Sequence, residues 1–327
     1  MYYSEKQRGQ NSYIFSFNMN KLLRSILFLS IFIIIGILLS FLLKYYTLKL
    51  DPNEKKVVDM VKMHDRDYDG LFLGNSLTFY AFDPTIIDSI TNLNTYNLAI
   101  GGATITSMFV LLDDYLLKNY PPDFIVLGLY LNNKEWGDNI RPSIRKSISK
   151  NSIEKYNRFL RENNIDNDWK ENLFSYFNIY QYRRVIDRIF KIIIEPYNYK
   201  FKLINGHYVS SKNIEPIFEY PSHAGGINKH ALKNFIDYCI QKNINVLLVE
   251  LPNHKAYNEA TINRAEVLSD IYEVLNEKVE FISFNNPENY TEQKDWHSLN
   301  HLNKWGSRKF SVEFGNYLQR NKSIVHK

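Results

Sequence analysis

Four short stretches of this 327-residue chain carry residue types that together could break or transfer an ester bond. The first is Gly74-Asn75-Ser76, which ends the apolar run "GLFLG". The second is "YNLAIGGAT", with Gly101 and Gly102, and the third is "VLGLYLNN", with Asn132 and Asn133. The fourth is "DWHSLNHLNKWGSRKF", with His301 followed by Leu302, Asn303 and Gly306. A serine exposed at a strand end can attack an ester carbonyl. A histidine within hydrogen-bond reach can take the serine proton. Glycine lets backbone N–H groups approach the substrate, and an asparagine amide supplies a further donor. Preorganised donors of this kind are worth about 3–4 kcal/mol each to a tetrahedral oxyanion.

Each stretch alone also has an ordinary reading. Gly-Asn-Ser is common in turns, "IGG" punctuates loops, "LNN" fits a helix cap, and His301 fits a surface position before the last helix. Their joint weight comes from the elements that would position them. "GLFLG", "TYNLAIGG", "DFIVLGLYL", "INVLLVELP" and "VEFISFNN" read as strands; "PTIIDSITN", "TSMFVLLDDYLLKN", "INKHALKNFIDYCIQKN" and "RAEVLSDIYEVLNEK" read as helices between them. Apolar strands alternating with helices predict a parallel sheet covered on both faces, an α/β protein of three layers. Sites in such sheets lie beyond the C-terminal strand ends. That rule gathers Ser76, Gly101, Gly102 and Asn132 on one edge. Between Leu131 and Ile227 the alternation stops. A mostly helical insertion is expected over about 134–226, including a long aromatic helix with Arg183, Arg184 and Arg188. That helix reads as a cover for the core or as a basic cap against membrane or an anionic glycan.

In this order the four stretches resemble the SGNH, or GDSL-type, hydrolase superfamily. The resemblance runs from about Asp69 to the C-terminus, apart from the insertion. It maps Ser–Gly–Asn–His onto Ser76, Gly102, Asn132 and His301, and the spacing from Asn97 to Gly102 matches the family's second motif. "HLN..G" and "NINVLLVELPNH" resemble segments of membrane-anchored members that modify cell-envelope polysaccharides. The resemblance implies a flavodoxin-like SGNH fold, Ser76 as nucleophile, His301 as base, and Gly102 and Asn132 as the oxyanion hole. Gly74, Asn75, Gly101 and Asn133 would support them. It calls for no metal or cofactor.

The sequence departs from the family pattern at three points. Asn75 and Asn133 stand where Asp is usual, and Ser298 occupies the place of the triad acid three residues before the histidine. Three arrangements are open. In the first, Asp295 completes a triad with Ser76 and His301 through a distorted loop. In the second, a Ser–His dyad uses Ser298 or a carbonyl to hold the ring. In the third, the site is non-catalytic. His297, flanked by Asp295, is an alternative base.

The N-terminus carries a separate signal. The uncharged apolar run from Ser25 to Leu43 would make roughly 28 Å of helix, close to the hydrocarbon thickness of a bilayer. No small-residue cleavage site follows it, so an uncleaved signal-anchor is expected. The expected organisation is a tail at 1–24, a transmembrane helix at 25–43, a juxtamembrane stalk at 44–68 and an SGNH-like domain at 69–327. Lys21 and Arg24 abut the span and favour an inside N-terminus on a bacterial cytoplasmic membrane, with the domain outside. The net charge of +5 is spread along the chain without a basic run or nucleic-acid motif, so nucleic acid is not an expected partner. The single cysteine, Cys239, excludes an intramolecular disulfide and a cysteine-based zinc site. The expected partners are the membrane and an envelope glycan or an acyl-donor protein. The expected function is an esterase or O-acyltransferase on acyl, especially acetyl, esters of that glycan. The alternatives are a glycan-binding or assembly module that keeps only the fold, and a lipase or thioesterase on membrane lipids.

Overall fold

The computed structural model of the chain describes residues 19–133, 148–162, 202–213, 224–275, 277 and 279–322. Helix α1 (Met19–Leu50) is followed directly by α2 (Pro52–Val61). The chain then alternates: β1 (Gly70–Leu73), α3 (Ser76–Ala81), α4 (Pro84–Thr91), β2 (Thr95–Asn97), α5 (Ile105–Leu116), β3 (Phe124–Leu129) and the short β4 (Asn132–Asn133). Next come α6 (Lys150–Glu162), the hairpin β5 (Lys202–Ile204) and β6 (His207–Val209), β7 (Gly226–Ile227), α7 (Lys229–Gln241) and β8 (Asn245–Glu250). The last elements are α8 (Lys255–Ala260), α9 (Arg264–Val274), β9 (Val279–Ser283), the hairpin β10 (Trp296–Ser298) and β11 (His301–Leu302), and α10 (Lys304–Arg320). The aromatic helix expected around Arg183, Arg184 and Arg188 lies outside the described residues.

The central sheet has the order β2-β1-β3-β8-β9, with every pairing parallel. This is the flavodoxin-like doubly wound order, so the expected α/β/α architecture is borne out. Period-two alternation sorts the strand side chains between two cores. Leu71, Leu73, Ile125, Leu127 and Leu248 pack with α2, α5, α7 and α9. Phe72, Phe124, Val126, Leu247 and Val249 pack with α3, α4 and α10. On the second face, Phe72, Phe82, Phe284, Phe310 and Phe314 form a cluster with ring centroids 4.6–6.0 Å apart. This cluster fixes the last helix against the first strand.

Helix α1 is one helix, among the described residues, long and apolar enough to cross a membrane. Its side chains are mostly exposed, but Leu43 and Thr47 near its end are buried. The segment expected as a stalk is not a tether. Asp51 caps α2 by accepting the Asn53 N–H at 2.9 Å, and Val57, Met60 and Met63 enter the first core. Lys56 is fully buried, with its ammonium over the Phe79 ring at 4.3 Å. It donates to Gly206 O at 2.9 Å, to Asn97 Oδ1 at 3.3 Å and to Ala99 O. Burial drives its pKa well below the usual lysine range.

A chain starting at Asp69 is therefore expected to lose cooperative folding. It loses the α2 side of the core and leaves the buried Ala99 and Gly206 carbonyls without their donor, at about 1–3 kcal/mol for each such group. A chain starting at Asp51 keeps all of these contacts. Thermal unfolding followed by circular dichroism distinguishes the two; equal melting temperatures would make α2 dispensable.

Candidate active site

β1 delivers Ser76 to the C-terminal edge of the sheet. A Cβ at Gly74 would come within 1.9 Å of Thr78 Oγ1, so the residue ahead of the turn must be small. Asn75 is buried and caps α3, its Oδ1 accepting the Leu77 N–H at 2.9 Å. An aspartate is not needed for that task. Ser76 is the first residue of α3, where the backbone N–H lies outside the intrahelical ladder.

The second stretch runs beside the first. β2 is shorter than the expected strand, but Leu98 N still donates to Phe72 O at 2.8 Å and Ile100 N to Gly74 O at 3.1 Å. Gly101 and Gly102 thus turn beside the Ser76 loop. Gly102 is exposed, with a φ of +77° that an L side chain rarely adopts. Asn97 locks the neighbourhood: its amide donates to Thr78 O and Phe82 O, both at 2.9 Å. The backbone of Asn132 and Asn133 lies beyond the end of β3, paired in parallel with Gly226 and Ile227. The expected oxyanion residues therefore share one edge with Ser76.

The fourth stretch folds as the β10–β11 hairpin, in which Ser298 pairs with His301. His301 Nε2 is 2.7 Å from Ser76 Oγ, across 225 residues of chain. His301 Nδ1 is 2.8 Å from Ser298 Oγ, and Ser298 Oγ donates to Asn300 Oδ1 at 3.1 Å. These contacts define the protons. Asn300 Oδ1 can only accept, so the Ser298 hydroxyl gives its proton there and accepts from Nδ1–H. Nε2 is then the bare nitrogen, and Ser76 O–H donates to it. A neutral serine thus selects the tautomer that a general base requires.

Asp295 does not complete a triad. Its carboxylate turns away from the histidine, toward the last helix and the preceding turn. Oδ2 accepts the Thr291 N–H at 2.7 Å and pairs with Lys309, while Oδ1 has no hydrogen-bond partner among the described residues. The backbone explains this. Asp295 O accepts the Asn303 N–H at 3.0 Å, and a Cβ at Gly306 would lie 2.2 Å from the same oxygen. That contact seats the chain at Asp295 on the start of α10. Asn303 caps α10 and also ties Lys294 O and Trp296 O, which accounts for the "HLN..G" pattern. His297 is not placed as the base for Ser76. Its Nδ1 is 2.6 Å from Ser210 Oγ, and its ring centroid is 6.4 Å from that of His301.

An aromatic wall flanks the base. The Tyr80 ring lies 4.9 Å from His301, 5.1 Å from His297 and 4.6 Å from Tyr208. Tyr80 sits four residues after Ser76 on the same helix face, a spacing that was open to notice in the sequence. Tyr208, Ser210 and Asn300 carried no such signal. Desolvation beside this wall, and then the neighbouring His297, push the pKa of His301 down to about 4. Its imidazole is neutral at pH 7 and ready to accept a proton. The unfolded chain takes up that proton first, because an exposed histidine titrates near 6.5. Stability from this group is complete above about 6.5 and falls as the pH drops from there toward 4.

The chain matches no known family profile and no curated protein. Solved structures similar to it include an acetyl xylan esterase, Est2A, from the rumen bacterium Butyrivibrio proteoclasticus, at 12% identity and a TM-score of 0.34 over 81% of this chain and 67% of that one. A family two carbohydrate esterase from Clostridium thermocellum, in complex with cellohexaose, aligns at 10% identity and a TM-score of 0.37, covering 80% of this chain and 66% of that one. Likeness at this level carries no functional weight.

The neutral support predicts a distinctive pH response. In the native chain, reaction of Ser76 with a fluorophosphonate should stay level from pH 8 down to about 5, with its acidic limb near the His301 pKa of about 4. Ser298→Asp should place a carboxylate on Nδ1, raise that pKa and move the limb upward. Ser298→Ala should slow the reaction at least about tenfold, within the ~10⁴-fold that a misplaced tautomer costs a serine triad. Asp295→Asn should lower the melting temperature but leave the limb in place. A shifted limb in Asp295→Asn would contradict the assignment.

Proposed function

We propose that this protein is a membrane-anchored serine esterase or O-acyltransferase of the SGNH type, acting on acyl esters of a cell-envelope glycan. The observation that carries the reading is the 2.7 Å contact between Ser76 Oγ and His301 Nε2 at the C-terminal sheet edge. Ser76 Oγ attacks the ester carbonyl while its proton passes to Nε2. The bond to the sugar oxygen breaks, and the leaving alkoxide takes that proton. Water or a sugar hydroxyl then attacks acyl-Ser76, gives its proton to Nε2, and Ser76 Oγ recovers it as the acyl group departs. Gly102 and Asn132 are the proposed oxyanion donors, with the adjacent Gly101 and Asn133 in support. Tyr80 and Tyr208 offer ring faces beside the base, suited to the apolar face of a sugar.

The apolar α1 supports the anchored reading, and the expected orientation sets the domain outside the bacterial cytoplasmic membrane. One observation favours a second reading, a glycan-binding module without chemistry: Ser298 leaves the imidazolium without a carboxylate. In that case glycan binding survives in both Ser76→Ala and His301→Ala while no ester is turned over.

The native chain should be labelled at Ser76 by a fluorophosphonate and should hydrolyse p-nitrophenyl acetate. Ser76→Ala should lose the label and at least about 10³-fold of the rate, as expected for a missing nucleophile. Unlabelled native protein with no esterase activity would leave the binding module as the better reading.

A further inference from the structure

The joint between α1 and the domain is built into the active-site edge. Helix α1 runs to Leu50, Asp51 N donates to Thr47 O at 2.8 Å, and Lys55 N donates to Asp51 O at 3.1 Å. No flexible linker intervenes. At the start of α2, Asn53 Oδ1 accepts the Gly101 N–H at 2.7 Å. One turn on, Lys56 bonds Asn97 Oδ1 and the Ala99 carbonyl. Two side chains of α2 therefore grip the loop that carries the proposed oxyanion glycine. Helix α2 then crosses the sheet to its other edge. Asp65 N donates to Lys118 O at 3.0 Å, and β1 starts back from there toward Ser76. The chain thus leaves α1 at the Ser76 edge and not at the opposite one.

Length makes this decisive. From Leu43, the end of the apolar run, α1 continues to Leu50, about 10 Å of helix, and the step through the extended Asp51 to Asn53 adds at most about 11 Å. The polar layer of one leaflet takes up about 5–7 Å of that. Asn53, and with it the Gly101 loop, lies at most about 15 Å beyond the headgroups. A domain on a free tether would have no such limit.

We propose that the Ser76 edge of the domain faces the bilayer, and that the substrate is an acyl ester presented at the membrane surface, carried by a lipid-linked sugar, rather than a soluble ester or a glycan remote from the membrane. This rests on the anchored-esterase reading and adds the place of reaction to it. The 97–102 loop, held from α2, is the link between anchor and chemistry.

Two exposed lysines test the orientation. Lys212 lies near His297 at the Ser76 edge, and Lys242 lies just before β8 at the opposite edge. Full-length Lys212→Cys and Lys242→Cys would be labelled with a thiol dye in vesicles containing a headgroup-labelled acceptor lipid; the native Cys239 is buried. Energy transfer should be stronger from position 212, and equal or reversed transfer would overturn the proposal. The dyes report position whether or not Ser76 reacts, so failed fluorophosphonate labelling would count against the esterase reading alone. The second arm tests presentation with a flexible insert of twenty Gly/Ser residues between Lys44 and Tyr45. It should lower turnover of a vesicle-borne acetylated alkyl glucoside at least tenfold and leave that of p-nitrophenyl acetate unchanged. Unchanged turnover of both would overturn surface presentation.

Discussion

The contact between Ser76 Oγ and His301 Nε2 closes a loop of 225 residues, and most of the fold is arranged to hold its two ends together. One end is fixed by β1, between β2 and β3 in the sheet. The other is fixed by α10, whose Phe310 and Phe314 pack against Phe72 and Phe82. Polar contacts set the register. Ser307 Oγ donates to Ala81 O at 2.9 Å, and Ser311 Oγ accepts the Asp83 N–H at 2.9 Å. Buried aromatic side chains are worth about 1.5–3 kcal/mol each, far more than one serine–histidine hydrogen bond contributes. The core therefore positions the pair, and the pair does not hold the core.

The same hairpin explains how a site can dispense with a carboxylate next to its histidine. A tight turn sets Ser298 opposite His301, and Asn300 orients the Ser298 hydroxyl. This relay supplies the tautomer but not the negative charge that stabilises an imidazolium. The apolar surroundings lower the basicity of His301 further. The arrangement suits a base that is always ready and weakly driven. Asp295, the nearest acid before His301, serves the packing of α10 through Lys309 and the Thr291 N–H.

Much of the fold was legible because it rests on local rules. The apolar strands and the edge rule for parallel sheets gathered Ser76, Gly101, Gly102 and Asn132 on one edge, and the resemblance to the SGNH superfamily added His301. What stayed hidden depends on contacts between distant segments. Lys56 looked like one charge among several in a stalk; its burial depends on Gly206, 150 residues away. The role of Ser298 depends on a hairpin turn, which the sequence did not show, so Asp295 stood beside it as an open alternative. Tyr208 reaches Tyr80 only through the β5–β6 hairpin, within a segment where the helix–strand alternation gave no guidance.

The central claim is that a neutral serine holds His301 with its proton on Nδ1 and its lone pair toward Ser76. Nitrogen-15 NMR of the histidine-labelled chain at pH 7, with His301 assigned by its loss in His301→Gln, reads that state directly. The predicted result is a protonated, pyrrole-like Nδ1 and a bare, pyridine-like Nε2, both unchanged until the pH nears 4. A proton on Nε2 at pH 7, or titration near 6.5 as for an exposed histidine, would contradict it.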